Sequence, residues 1–286
     1  MENTEELQRK TIYKSGNELD IMATKIVETE RPKLKDPIFI AGLPGVGNVG
    51  RIAAGYLAEQ LKAKKFAELY SSHFMPFVLL HQSSAVHVLK NEFYYWKATK
   101  KGQKDVIILI GDSQSADPEG HYEIVEEILK YLKSLGSKEM FTLAGLSVGE
   151  QSKIPKVIGA VSDTDLTTKY KSIGIDFDAG SRIGTIVGAS GLLLGLGRQY
   201  GMKGTCLLGE TVGFPIIPDP RSAEEILKIL LKVLNIKIDL SKLDSKVKEM
   251  EEFIKKIEDV QRKAVGQMMK PPEKGETEKE KTSYIG

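Results

Sequence analysis

Cysteine is nearly missing from this chain: Cys206 is the one thiol in 286 residues. That excludes an internal disulfide and any zinc site built on cysteines. Within Thr-Cys-Leu-Leu, Cys206 reads as a small buried hydrophobe. An excess of either charge is missing too. The formal net charge is +2, and no basic cluster is interleaved with aromatics, which argues against nucleic acid. Long apolar runs are absent: the longest, Ala189 to Leu196, is far shorter than a membrane span. The opening Met-Glu-Asn-Thr-Glu-Glu lacks the basic and apolar regions of a signal peptide. The four histidines, His73, His81, His87 and His121, show no ligand spacing, and H-E-x-x-H does not occur. The expectation is a soluble, cytoplasmic protein with no metal, no cofactor, no nucleic acid and no membrane.

What is present is an alternation of apolar strands and helices. Hydrophobic residues make up 41% and charged residues 28%, a globular balance rich in charge. Residues 1–10 are polar and read as loose. Strands are expected at 20–28 and 37–42, a helix at 48–62, and a strand from Phe66 to Tyr70. From Phe74 to Lys97 short β-rich runs replace the next helix and suggest a meander. The rhythm then resumes with a strand from Val106 to Ile110, a helix at 120–135, and strands from Met140 to Leu146 and Val157 to Val161. A helix near 163–172, a strand from Gly204 to Leu208 and a helix through Leu234 follow, the last with Ser222 as N-cap and Glu225 three residues on. This order implies an α/β fold with a mostly parallel sheet and helices on both faces. The α/β domain is placed at 1–236.

Past it lies a heptad helix, expected at 237–265. Leu240, Val247, Ile254 and Gln261 are spaced by seven, as are Leu243, Met250, Ile257 and Ala264, giving an a/d seam flanked by Lys and Glu. Leu243, Val247, Met250, Ile254 and Ile257 are the candidate oligomer residues, packing as a coiled coil against another helix or subunit. The bland reading is that the helix docks on its own domain. Residues 266–286 are rich in Pro, Glu and Lys and are expected to be disordered. They close on Tyr284, Ile285 and Gly286, the candidate partner-binding residues.

The chemistry turns on the stretch from Gly42 to Arg51, Gly-Leu-Pro-Gly-Val-Gly-Asn-Val-Gly-Arg, which holds a literal G-x-G-x-x-G at Gly45, Gly47 and Gly50. As a dinucleotide loop it would seat a pyrophosphate, with Glu68 in place to bind ribose. Glu68, however, sits inside a strand-like run. As a P-loop it carries Arg51-Ile52 where Lys and Ser/Thr are needed. The structural reading needs nothing extra: glycines let a strand turn into a helix hard against the sheet.

A second candidate is the strand-end segment holding Asp112, Asp117, Glu119, His121 and Glu123, readable as an acid/base or metal cluster. Asp117-Pro118-Glu119-Gly120 is equally a good turn opening a helix. Gly145-Leu146-Ser147-Val148-Gly149 matches the nucleophile elbow, but no histidine follows Ser147, so the hydrolase order Ser, acid, His is impossible. The glycines from Gly184 to Gly204 are expected to allow close packing of a buried helix.

Several ordered motifs then carry a resemblance. GLPGVGNVG after a strand, GDSQ after the next, EGHYE opening a helix, and later IVGASGLLLGLG and CLLGET resemble the proteasome assembly chaperone family, which includes the second eukaryotic assembly-chaperone subunit and archaeal homologues. The similarity runs from about residue 34 to about 240. It implies a nucleoside-phosphorylase-like α/β fold without an established catalytic site, homo-oligomers, and contact with α-subunits of the 20S proteasome. It also implies that the glycine loop is structural. Some members dock through a terminal hydrophobic-tyrosine-any tripeptide. Here tyrosine is third from the end and Ser283 takes the hydrophobic place. The leading expectation is thus a self-assembling, non-enzymatic chaperone or adaptor whose tails contact α-subunits. The alternatives are a nucleotide- or nucleoside-binding enzyme using loop 42–51, and a scaffold assembling with a paralogous partner.

Overall fold

A computed structural model describes residues 24–80, 84–148, 154–178, 184–211, 218–243 and 245. The strands are β1 (Lys25–Glu28), β2 (Ile38–Gly42), β3 (Lys64–Tyr70), β4 (Val78–Leu80), β5 (Val86–Val88), β6 (Asn91–Trp96), β7 (Val106–Gly111), β8 (Glu139–Ser147), β9 (Val157–Val161) and β10 (Lys203–Thr211). The helices are α1 (Val49–Gln60), α2 (Pro118–Ser134), α3 (Asp165–Tyr170), α4 (Ala189–Gly197) and α5 (Pro220–Leu234).

Eight strands form one sheet in the order β1-β3-β6-β7-β2-β8-β10-β9. Its heart, β7-β2-β8-β10, is parallel. The flanking pairs are antiparallel. Following the pairings outward, β3 runs in the same sense as β2, so five of the eight strands share a direction. The central runs are apolar at every position because both faces are covered: Ile38 to Gly42 are all buried. One core joins the sheet to α1, α3 and α5, through Leu57, Phe141, Leu166 and Leu230. The other joins it to α2 and α4, through Phe39, Phe93, Leu129 and Leu193. Helices therefore cover both faces, as the alternation implied.

The β-rich stretch 74–97 divides in two. Asn91–Trp96 enters the main sheet between β3 and β7, whereas β4 and β5 pair only with each other in a separate hairpin. The cap of α5 also differs from expectation. Asp219, not Ser222, is the N-cap, its carboxylate accepting from the Ser222 amide at 3.0 Å, with a proline in the first turn. A carboxylate ahead of an N1 proline satisfies an orphan amide and starts the helix earlier.

Beyond α5 the chain folds back on α1: the Tyr56 hydroxyl donates to the Asp239 carbonyl at 2.7 Å. Leu240 is half-buried against the α1/α5 core and Leu243 is buried in it. The seam thus begins by docking on its own domain. Val247, Met250, Ile254 and Ile257 lie outside the described residues.

Candidate functional site

In open α/β sheets, ligands sit beyond the carboxyl ends of the parallel strands, where successive connections leave in opposite directions. Here β7 and β8 lie on either side of β2, so that place is fixed by the loops after β2, β7 and β8. The tertiary fold brings the two sequence candidates together there. The glycine loop follows β2, and the segment from Asp112 follows β7.

Three of the loop's four glycines are explained by close contact or by backbone conformation. A Cβ at Gly42 would lie 2.8 Å from the carbonyl carbon of Gly50, and one at Gly50 would lie 2.8 Å from that of Leu143. Gly47 has φ +61°, the left-handed region, and a Cβ there would meet Thr211 Oγ1 at 2.9 Å. Gly50 thus lets α1 start directly on β8 and Gly47 makes the turn, while Gly45 faces a gap of 3.9 Å to Gln114. Two glycines are used for close approach and one for a turn.

Arg51, at the place of a P-loop lysine, is directed elsewhere. Its guanidinium Nη2 lies 3.1 Å from Asp112 Oδ1, and both side chains are largely buried. Burial pulls the Arg51 pKa down while Asp112 opposes the shift. Asp112 also meets His87 Nε2 at 3.5 Å and the Lys90 amide at 3.4 Å. Gln114 completes the join: its amide nitrogen donates to the Pro44 carbonyl at 2.5 Å, and its oxygen accepts from the Ala189 amide at 2.9 Å. One side chain therefore links the glycine loop to the start of α4. Sequence reading did not single out Gln114, although it closes the GDSQ motif just past a strand end.

The remaining acids of that segment serve a different cluster. Asp117 is the N-cap of α2, accepting from the Gly120 amide at 2.7 Å, and its other oxygen lies 2.8 Å from His73 Nδ1. Glu123 lies 3.3 Å from His73 Nε2 and accepts from the Thr24 amide at 2.7 Å. Asp112 and the His73 cluster thus engage separate partners, and among the described residues no group of three His, Cys, Asp or Glu could hold a metal ion. His121 is pulled down by burial.

The His73 clasp makes stability depend on pH. Its hydrogen bond with Asp117, and then the one with Glu123, raises the His73 pKa. The Gly120 amide and His73 lower Asp117, while the Thr24 hydroxyl leads in lowering Glu123. The stabilisation from His73 is full below the unfolded imidazole value of about 6.5 and is lost as pH rises through its raised folded value. That from the two acids is full above their unfolded values of about 4 and is lost as pH falls through their lowered ones. The clasp is strongest between the two, and its effect is small because these side chains are partly exposed and screened. Thermal denaturation at pH 6 and pH 8 should show the parent losing more stability at the higher pH than His73→Gln does. Equal losses would remove the clasp as a pH-dependent tie.

Glu68 does not reach the crevice. It lies on β3, separated from β2 by β6 and β7. Its oxygens accept from Lys65 at 2.7 Å, Lys90 at 2.5 Å and the Tyr70 hydroxyl at 2.7 Å. Burial alone would raise its pKa, but these three donors hold it down at about 2. A ribose-binding role is excluded by that position. Ser147 is exposed at the end of β8 and aligned with Thr211 of β10. Cys206 is fully buried, and burial pushes its thiol up to about 11, so it is inert as a nucleophile. Tyr284, Ile285 and Gly286 lie outside the described residues.

Known proteins resemble this chain in sequence and in fold. Residues 39–258 match the PAC2 family. An uncharacterized protein of Methanocaldococcus jannaschii is 35% identical over 266 residues, 93% of this chain and 98% of the relative. The crystal structure of Pyrococcus furiosus PbaB, an archaeal proteasome activator, is 45% identical with a TM-score of 0.74, covering 82% of this chain and 99% of that one. That of Pyrococcus furiosus PbaA, an archaeal homolog of proteasome-assembly chaperone, is 30% identical with a TM-score of 0.67, covering 84% and 99%.

Proposed function

Since the chain belongs to the PAC2 family, we propose that it is a non-enzymatic, cytoplasmic partner of the proteasome, an assembly chaperone or adaptor that self-assembles and binds 20S α-subunits. The observation that carries this reading is the 45% identity to PbaB across 99% of that chain. The crevice geometry favours it over a nucleotide enzyme, because Arg51 faces Asp112 and Gln114 ties the glycine loop to α4. In this proposal the α/β body 1–236 is the folded core, and segment 237–265 joins copies beyond Leu243 through Val247, Met250, Ile254 and Ile257. Segment 266–286 carries Tyr284, Ile285 and Gly286 to the α-subunits. Several weak tails on one assembly gain affinity through effective concentration.

The test is a pull-down of purified α-subunits by the full chain and by a chain ending at Lys270. Retention by the full chain and loss by the shorter one is the expected result. Retention by both moves the contact to the body or the heptad segment. Retention by neither overturns the proposal. Because identity is higher to an activator than to a chaperone homolog, peptide hydrolysis by mature 20S particles should rise when the full chain is added.

A further inference from the structure

Six of the eight large apolar side chains exposed among the described residues lie in one region. They are Met75 (40% exposed), Val78 (46%), Leu80 (72%), Val86 (60%), Val88 (53%) and Tyr122 (57%). Four of them form the outer face of the β4–β5 hairpin. Its register sets Val78 opposite Val88, Leu79 opposite His87 and Leu80 opposite Val86. Side chains alternate across a strand, so Val78, Leu80, Val86 and Val88 share one face, while Leu79 and His87 share the other. The inner face is anchored: Leu79 is buried in the α2/α4 core and His87 reaches Asp112. A hairpin resting on a core normally turns polar residues outward. This one turns four aliphatic residues outward with no charge among them. Met75 extends the patch along the loop that His73 clasps to the start of α2, and Tyr122 follows the first turn of that helix.

We propose that the outer face of the β4–β5 hairpin is the surface on which a second copy of this chain docks, two hairpins packing face to face about a two-fold axis. The proposal adds a second joint to the heptad segment put forward above, and rests on the self-assembly in that reading. The area fits this occupant. Six such side chains form an apolar patch on the order of 500 Å², at the upper end of what a monomer leaves open. Two of them together bury about 1,000 Å², the area a specific interface has to clear. The chemistry fits as well. The four hairpin side chains carry no charge and no hydrogen-bonding group, and such a face is covered without loss only by a surface equally free of them, since a polar partner would strand its own groups. A two-fold contact supplies that surface by construction, because the same patch meets itself.

The experiment is sedimentation equilibrium on the purified full chain with no proteasome present, comparing the parent, Leu80→Glu and Ile254→Asp. Leu80 is the most exposed of the four strand residues, so Leu80→Glu keeps the fold, with circular dichroism as the control. The expected result is a parent that associates and a Leu80→Glu variant whose association constant falls at least 100-fold. A monomeric parent overturns the proposal, as does a Leu80→Glu variant that assembles like the parent. Assembly lost in Ile254→Asp but kept in Leu80→Glu assigns the joint to the heptad segment alone and overturns it too. The readout needs no α-subunit. Loss of the hairpin joint therefore leaves the pull-down result standing, and a failed pull-down leaves the hairpin result standing.

Discussion

Gly50→Ala should destabilise the protein by about 2 kcal/mol, in the range for forcing an extra methyl into a packed core, although alanine is the better helix former. The competing terms can be ranked. Replacing a helical glycine by alanine gains about 1 kcal/mol from propensity. At this position the new Cβ would run into the backbone of Leu143, whose carbonyl carbon lies 2.8 Å away. A flexible side chain could swing aside; a carbonyl in the middle of β8, bonded on both sides to β2 and β10, moves only if the sheet moves. The clash wins. Gly45→Ala is the control: its nearest neighbour is the end of Gln114 at 3.9 Å, so its effect should stay within about 0.5 kcal/mol, the range for positions free of such features. Urea denaturation of both variants decides the matter. A loop kept for packing loses stability at Gly50 and little at Gly45. A loop kept for a phosphate would show no such contrast in a ligand-free protein, and that outcome would sink the packing account.

Asp112→Ala should be as damaging, for an electrostatic reason. Removing one member of a buried ion pair costs about 3 kcal/mol, the lower end of the measured range, because the surviving charge loses its partner while its desolvation remains. Arg51 is the survivor here, on α1 beneath the loop that β7 leads into. The lower end applies because Asp112 keeps 16% of its side chain in contact with solvent. Replacing both partners by apolar residues of similar size, Arg51→Met with Asp112→Leu, should recover most of the loss, since hydrophobic replacements of buried pairs are often neutral. The cycle of two single variants and the double variant, followed by denaturant midpoint, measures the coupling. Single losses that simply add would show that Arg51 and Asp112 act independently, and the ion pair would then not be a tie between α1 and the loop after β7.

Elements whose signal lies in local chemistry were legible in the chain. The all-apolar run Ile38 to Ala41, the helix opening at Asp117-Pro118, and the alternation of strands and helices each follow from short-range rules, and each appears in the fold. The site was legible only as separate pieces. Glu68 had the right count from the glycine loop for a ribose acid. That count presumes β3 lies beside β2, and the sheet inserts β6 and β7 between them. Arg51 had the wrong identity for a P-loop, which the sequence says; its pairing with Asp112, 61 residues away, it does not. Ser222 looked like a cap because the rule for caps is local, but Asp219 and the following proline satisfied it one turn earlier.

The sequence by itself determined the α/β class, the covering of both sheet faces and the resemblance to the proteasome assembly chaperones, because periodicity and ordered motifs act over a few residues at a time. Only the tertiary structure decided that the glycine loop packs on β8, that Arg51 is held by Asp112, and that Leu243 docks on its own core. Only the structure, too, turned the aliphatic residues of β4 and β5 outward while Leu79 went in. A run such as Val-Leu-Leu has no polar residue to say which face is buried. The hairpin's register and its seat on the core make that choice, and both depend on residues far away in the chain.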